Sequence, residues 1–305
     1  MSSDHGWSSQ SDHARWNDFG MLGVIGGSGV YDLEETEHRE IIEVETPFGR
    51  ASSPVHKTRI GQTDVLFLAR HGVGHVYSPT SIPYRANVFA LKELGATHLI
   101  SLSAVGSMRE ELPPRALVNP DQIIDRTVRR EHSFFESGVV AHVGLAEPFC
   151  ARLRSAVSGA AELAGRPVRH DGTYVCIEGP QFSTRAESNL YRSWGATVIG
   201  MTAMPEARLA REAGLCYAML AMVTDYDVWH DAEEDVSVEV VNSNLRANTE
   251  SAHAILRQLL AGGLPVRQCG CASALEQAMM TAPDRIPAEA MRWIRVLTSH
   301  RLEAL

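Results

Sequence analysis

Lysine is almost missing from this chain: only Lys57 and Lys92 occur. Arginine supplies the remaining basic charge, so any oxyanion held by a cation meets a planar guanidinium fork rather than an ammonium point charge. Basic charge is also in deficit, with 28 Lys and Arg against 37 Asp and Glu, a net charge of −9 and a pI near 5.8. That balance excludes a general nucleic-acid surface, which needs a basic patch, but leaves a local anion site open. Five cysteines (Cys150, Cys176, Cys216, Cys269 and Cys271) in 305 residues are too sparse for a disulfide framework. No apolar run reaches membrane-spanning length. Residues 1–20 are rich in Ser, Asp, His and Asn, with no secretory h-region. Cytoplasm is therefore the expected compartment, with neither nucleic acid nor membrane as partner.

Hydrophobic residues make up 44% of the chain, enough for a substantial core. Residues 1–20 are expected to be a disordered tail, 21–262 the main domain, and 263–305 a helical extension of it. Strands are predicted at Leu22–Gly26, Val55–Ile60, Val65–Ala69, Leu99–Leu102, Thr173–Ile177 and Thr197–Met201. The stretch 117–124 is a weaker strand, interrupted by Asn119-Pro120. Helical spacing runs over 81–94, 146–164, 184–194, 205–213 and 236–260. A short helix from about 272 to 281 and a last one near 287–300 are also expected. Alternating helices and strands give the class α/β, without internal repeats.

One stretch organises the rest: Ala218-Met-Leu-Ala-Met-Val-Thr-Asp-Tyr-Asp227. It begins as the unbroken apolar run of a strand buried on both faces. If extended backbone persists, Asp225 and Asp227 point the same way and raise one another's pKa. A proton donor beside an acceptor suits acid catalysis on a heteroaromatic leaving group. Two Asp residues that merely solvate a turn explain this stretch equally well.

Other apolar strands close on polar groups. Gly26-Gly-Ser-Gly29 converges N–H groups and the Ser28 hydroxyl, but lacks the third glycine of a dinucleotide loop and the Lys of a Walker loop. Arg70 and His71 end a second strand, Ser103 a third, and Thr202 a fourth. Each has an ordinary reading, as a tight turn, a loop pair or a helix N-cap. If the sheet is mostly parallel, all these ends lie along one edge, with anion donors at one part and carboxylates at another. Phe182, after Gly179-Pro180, is either a stacking surface or a core side chain under a turn. Cys269-x-Cys271 cannot complete a zinc site alone, no His/Cys cluster surrounds it in sequence, and a CxC disulfide is strained, so two free thiols and no metal are expected. His13, His38 and His300 read as surface residues.

Eight motifs in order resemble the methylthioadenosine phosphorylase branch of the trimeric purine nucleoside phosphorylases: Gly23-Val-Ile-Gly-Gly-Ser-Gly29, Thr46-Pro-Phe-Gly49, Leu68-Ala-Arg-His-Gly72, Asp125-Arg-Thr127, Ala146-Glu-Pro-Phe149, Ile177 to Glu187, Met201-Thr-Ala-Met-Pro-Glu206 and Thr224-Asp-Tyr-Asp-Val-Trp229. The resemblance spans roughly residues 20–260. It implies a single domain with a twisted mixed central sheet flanked by helices, and a homotrimer with sites near subunit interfaces. It also implies phosphorolysis of a 5′-modified adenosine without a cofactor, inorganic phosphate being the co-substrate. By matching positions, Ser28, Arg70, His71, Ser103, Ala104 and Thr202 are implied to hold phosphate. Met201 is implied to lie against ribose, Phe182 against the base, and Ser183, Asp225 and Asp227 to read adenine. His142, Val238 and Val241 are implied to serve the 5′-pocket, His142 reaching a neighbouring subunit's.

Asp225 is the expected catalytic residue, protonating the purine at N7, with Asp227 accepting from the exocyclic amine. Two acceptors fit a 6-amino purine and oppose a 6-oxo one. Asn242 departs from the apolar residue the resemblance suggests, which leaves the 5′-substituent open. The alternatives are a broader purine nucleoside phosphorylase, a nucleosidase using water, and a non-catalytic nucleoside or phosphate sensor.

Overall fold

The computed structural model describes residues 20–27, 40–60, 63–136, 138–230 and 238–299, with side chains from 243 onward in the last stretch. Ser28 lies outside the described residues, as do residues 1–19 of the expected tail. The side chains of Val238, Val241 and Asn242 also lie outside them.

The chain opens with β1 (Met21–Gly26), β2 (Glu40–Ile42), β3 (Glu45–Thr46), β4 (Gly49–Arg50), β5 (Val55–Ile60) and β6 (Thr63–Ala69). Helix α1 (Tyr84–Glu93) leads to β7 (Ala96–Ser107), β8 (Leu117–Val118) and β9 (Gln122–Arg126). Then follow α2 (Ala151–Leu163), β10 (Thr173–Ile177), α3 (Arg185–Ser193), β11 (Val198–Gly200), α4 (Ala203–Glu212) and β12 (Cys216–Tyr226). Helices α5 (Val238–Ala261) and α6 (Ala288–Thr298) complete it.

Nearly every expected element forms, with shifted ends. β7 runs five residues past Leu102, which carries Ser103 to Ser107 inside the sheet. The 117–124 stretch becomes two strands, β8 and β9, parted at Asn119-Pro120 because proline cannot donate to a ladder. Helix α2 begins only at Ala151, after Pro148, which disfavours helical backbone at Glu147.

The main sheet follows the order β2-β5-β6-β1-β7-β11-β10-β9, with β12 paired to β7 and β8. β12 is buried along nine consecutive residues, Cys216 to Thr224. Alternation divides them: Ala218, Leu220 and Met222 pack with α2 and α5, while Tyr217, Met219 and Ala221 pack with α1 and α4 residues. A strand covered on both faces needs apolar side chains at every position, which is why its sequence reads as a run.

The sheet is mixed, which corrects the expectation of one common edge. β6, β1, β7 and β12 are parallel, but β11 runs antiparallel to β7, pairing Val198 with Ser107 and Ile199 with Gly106. Thr202 therefore returns toward the middle of β7 instead of emerging beside its end.

Two further expectations fail after α5. Residues 272–278 form successive turns, closed by Ala274 N to Cys271 O, Glu276 N to Ser273 O and Ala278 N to Leu275 O, instead of a helix. The Cys269-x-Cys271 pair is not isolated either. The fold brings Cys150 and Cys216 to it, and the four sulfurs lie within 4.8 Å of one another. Chain proximity could not reveal this, because the sulfurs come from three distant segments.

Candidate active site

The anion half begins at Ser103. Its Oγ lies 3.2 Å from Thr202 Oγ1 and 3.5 Å from the buried Tyr174 hydroxyl. Thr202 stands at the N-cap of α4 but makes no side-chain cap bond. Its hydroxyl is thus committed to Ser103, and the ordinary N-cap reading falls. Ala104 is exposed although its neighbours Ser103 and Val105 are buried. An opening in the middle of a central strand is where a ligand can reach backbone N–H and C=O groups. Gly200 makes the approach of Tyr174 possible, since a Cβ there would meet the tyrosine oxygen at 2.0 Å.

Arg70 is almost fully buried. Nε donates to Glu206 Oε2 at 2.9 Å, Nη1 to Leu102 O at 3.0 Å, and Nη2 to Ser101 Oγ at 2.7 Å and Ile25 O at 3.2 Å. Tyr217 donates its hydroxyl to the same Glu206 at 3.0 Å. The guanidinium, just past the end of β6, is therefore bolted across the end of β1 and the middle of β7 to α4. A buried pair of this kind is costly to break from one side, because the remaining charge stays desolvated.

His71 stacks on His75 with centroids 4.1 Å apart. Its Nδ1 donates to Tyr77 O at 2.9 Å, since a carbonyl can only accept. Burial pushes its pKa down to about 4, and the Arg70 cation adds to the effect. At neutral pH His71 is uncharged with Nε2 an acceptor, so it suits a phosphate oxygen that still carries a proton.

The carboxylate half lies three residues further along β7, a distance of about 10 Å at strand rise. The β7–β12 register shifts between Val223 and Asp225, pairing Asp225 with Gly106. Such a bulge re-aims side chains. α5 supports the shifted stretch: Asn244 Nδ2 donates to Thr224 O at 2.8 Å, and Asn248 Nδ2 donates at 2.9 Å to Val223 O, which also accepts from the Arg115 N–H. Thr224 Oγ1 donates to Asp225 Oδ2 at 2.6 Å. Asp227 follows the strand, held by its N–H to Ser107 O at 3.2 Å.

Both acids crowd the same glycine. A Cβ on Gly106 would meet Asp225 Oδ1 at 3.2 Å and Asp227 Cβ at 3.4 Å. The expected proximity of the pair is therefore present. The pKa of Asp227 is raised, but by burial, with Ser188 and the Val228 N–H opposing, so the expected mutual repulsion is not its cause. Asp227 Oδ2 and Ser183 Oγ are buried with no hydrogen-bond partner. A native fold seldom leaves such atoms unpaired unless something else is meant to satisfy them.

Phe182 is 64% exposed, which rules out its reading as a core side chain. Its loop is fixed by Arg130, a buried residue the sequence did not single out. Arg130 Nη2 donates to Glu178 O at 2.7 Å, and Nη1 to Met201 O at 2.7 Å and the Tyr84 hydroxyl at 3.1 Å. One guanidinium thus ties the loop after β10 to the loop after β11, and positions Met201. His142 is exposed, on a strand-like pairing in which its N–H donates to Ala278 O at 2.8 Å.

Glu206, Ser101, Tyr174, Arg130, Asn244 and Asn248 were all missed as supports. The available signal was weak: a polar side chain inside an otherwise apolar segment, as at Ser101.

The sequence profile of the phosphorylase superfamily matches residues 21–261. The chain is 50% identical over 270 residues to an S-methyl-5′-thioadenosine phosphorylase of Geobacter sulfurreducens, covering 88% of this chain and 94% of that one. Among solved structures, a methylthioadenosine phosphorylase sourced from an antarctic soil metagenomic library superimposes with a TM-score of 0.86 at 42% identity, over 92% of this chain and 99% of that one. The Schistosoma mansoni methylthioadenosine phosphorylase in complex with adenine gives a TM-score of 0.81 at 35% identity, over 85% and 99%. The chain belongs to the phosphorylase superfamily and, within it, to the S-methyl-5′-thioadenosine phosphorylases.

Proposed function

We propose that the protein catalyses phosphorolysis of S-methyl-5′-thioadenosine, giving adenine and 5-methylthioribose 1-phosphate. One observation carries this reading. Within three residues of β7, a hydroxyl pair beside an opened strand (Ser103, Thr202) is followed by two carboxylates on one glycine (Asp225, Asp227). A nucleoside with phosphate at its anomeric carbon has that polarity and about that length.

Phosphate sits against Ser103, Ala104 and Thr202, with Ser28 and His71 contributing, while Arg70, implied by the resemblance to hold phosphate, braces β1 and β7 behind it. Cleavage of the glycosidic bond builds positive charge on ribose, which bound phosphate stabilises before it attacks the anomeric carbon. Asp225 delivers a proton to N7 of the departing purine. Asp227 Oδ2 accepts from the 6-amino group, and Ser183 Oγ meets the ring. Phe182 covers the base and Met201 the ribose. His142, Val238 and Val241 serve the 5′-pocket, with His142 reaching a neighbouring protomer in a homotrimer. The enzyme works in the cytoplasm, with inorganic phosphate as co-substrate and no cofactor.

Side-by-side turnover of methylthioadenosine, adenosine and inosine tests the purine reading. Methylthioadenosine is expected to be fastest and inosine negligible; inosine in the lead overturns the role of the Asp pair. A second reading, with adenosine also accepted, is favoured by a Schistosoma mansoni relative described as an adenosine/methylthioadenosine phosphorylase. Comparable turnover of the first two nucleosides selects it.

A further inference from the structure

The four clustered cysteines stand apart from the active site. Cys216 opens β12, whose other end carries Asp225, nine residues and about 30 Å of strand away. Cys150 is the N-cap residue of α2. Cys269 and Cys271 come from the segment after α5, and all four thiols are free.

The spacing is that of a coordination shell. Cys269 Sγ lies 3.4 Å from Cys216 Sγ and 3.7 Å from Cys150 Sγ, and no pair of the four exceeds 4.8 Å. Sulfurs bound to zinc at about 2.3 Å in a tetrahedron stand about 3.8 Å from one another. Cys269 is shared between two neighbours, which a pairwise cross-link does not require. Three of the four side chains are buried.

The surroundings are built to bring the segment in. His98 Nε2 donates to Pro265 O at 3.1 Å, and Arg267 donates to Gly214 O. Gly214 has φ +63° and packs against this segment, where a Cβ would come into contact with the carbonyls of Cys271 and Ala272 at 3.4 Å. Arg211 Nη1 approaches Cys271 Sγ at 3.7 Å, a cation beside the sulfurs.

We propose that Cys150, Cys216, Cys269 and Cys271 form a tetrathiolate site for a zinc ion that fastens the segment after α5 to the starts of α2 and β12. Binding converts four thiols to thiolates: one Zn2+ enters, four protons leave, and the complex carries a charge of −2 that Arg211 partly offsets. Four protein ligands close the shell, so the ion is structural and has no position for substrate. The fastened segment continues to Ala278 and Met279, which pair with His142 and Ala141. The clip thus backs the loop that bears His142.

The inference does not rest on the proposed reaction. Full-length untagged protein, produced with zinc and purified under reducing conditions without chelator, is analysed by plasma emission spectrometry. One zinc per chain is expected, released by an organomercurial as four thiols react. The double variant Cys269→Ser/Cys271→Ser is expected to carry none. Should that variant fail to fold, cobalt(II) exchanged into the parent protein gives an independent reading, with the intense visible bands of tetrahedral sulfur coordination expected. Zinc-free protein whose thiols all react freely overturns the site. So does intact mass showing two disulfides under the same reducing conditions. Iron in the same shell, recognised by its colour, overturns the choice of zinc.

Discussion

Arg70 and the Asp227–Ser183 pair are both buried polar groups in one site, yet they are treated in opposite ways. Arg70 spends its N–H groups on Glu206, Ser101 and two carbonyls. Asp227 Oδ2 and Ser183 Oγ have no partner at all. The first arrangement is a brace, satisfied before any ligand arrives. The second is a recognition surface, whose polar atoms stay unpaired until a purine edge meets them. The two halves of the site should therefore fail differently when mutated.

Asp225→Asn is expected to have the largest effect, lowering kcat on methylthioadenosine by about 10²–10⁴-fold, the range of a lost general acid. Its circular dichroism and melting should match the parent. Steady-state kinetics check it, and parental kcat removes Asp225 from catalysis. Arg70→Ala should act on the fold instead, losing about 3–5 kcal/mol in urea unfolding as Glu206 is left buried and unpaired. Asp227→Asn sharpens the contrast. It discharges a buried carboxylate, so stability should hold or rise, while discrimination of adenosine over inosine falls by about 10–100-fold, the equivalent of about 1–3 kcal/mol. Equal unfolding losses in the two variants would erase the distinction between brace and reader.

Acid should act through the buried histidines. Burial holds His71 and His98 at about 4, with the Arg70 cation adding to the shift at His71 and the Arg267 cation at His98. Between that value and the ordinary 6.5, the unfolded chain binds more protons than the folded one. Stability from these groups is then complete above 6.5 and lost as pH falls toward 4, measurable as a falling urea midpoint. A flat midpoint across that window removes the effect. Thr202→Val should be mildest, raising the phosphate KM by about 2–10-fold for one lost hydroxyl, with little change in melting.

Much of this was legible in the sequence because strand ends carry chemistry. The apolar run from Ala218 announced a central strand, and Asp225 and Asp227 do meet, at Gly106. The bulge that aims Asp225 was not legible, since its supports, Asn244 and Asn248, sit on a helix whose own pattern explains them. Nor was the reversed direction of β11, because a three-residue strand carries no sign of its orientation. The arginine–glutamate brace and the four-cysteine cluster were hidden for one reason: partners far apart in the chain leave no local periodicity.

If one site joins an oxyanion to an adenine nucleoside, release of the base must depend on phosphate. The most direct test is the initial rate of adenine release from methylthioadenosine as inorganic phosphate is raised from zero. No turnover is expected without phosphate, with saturation as it is raised and one sugar phosphate formed per adenine. Undiminished release in phosphate-free buffer, with free methylthioribose as product, would contradict it.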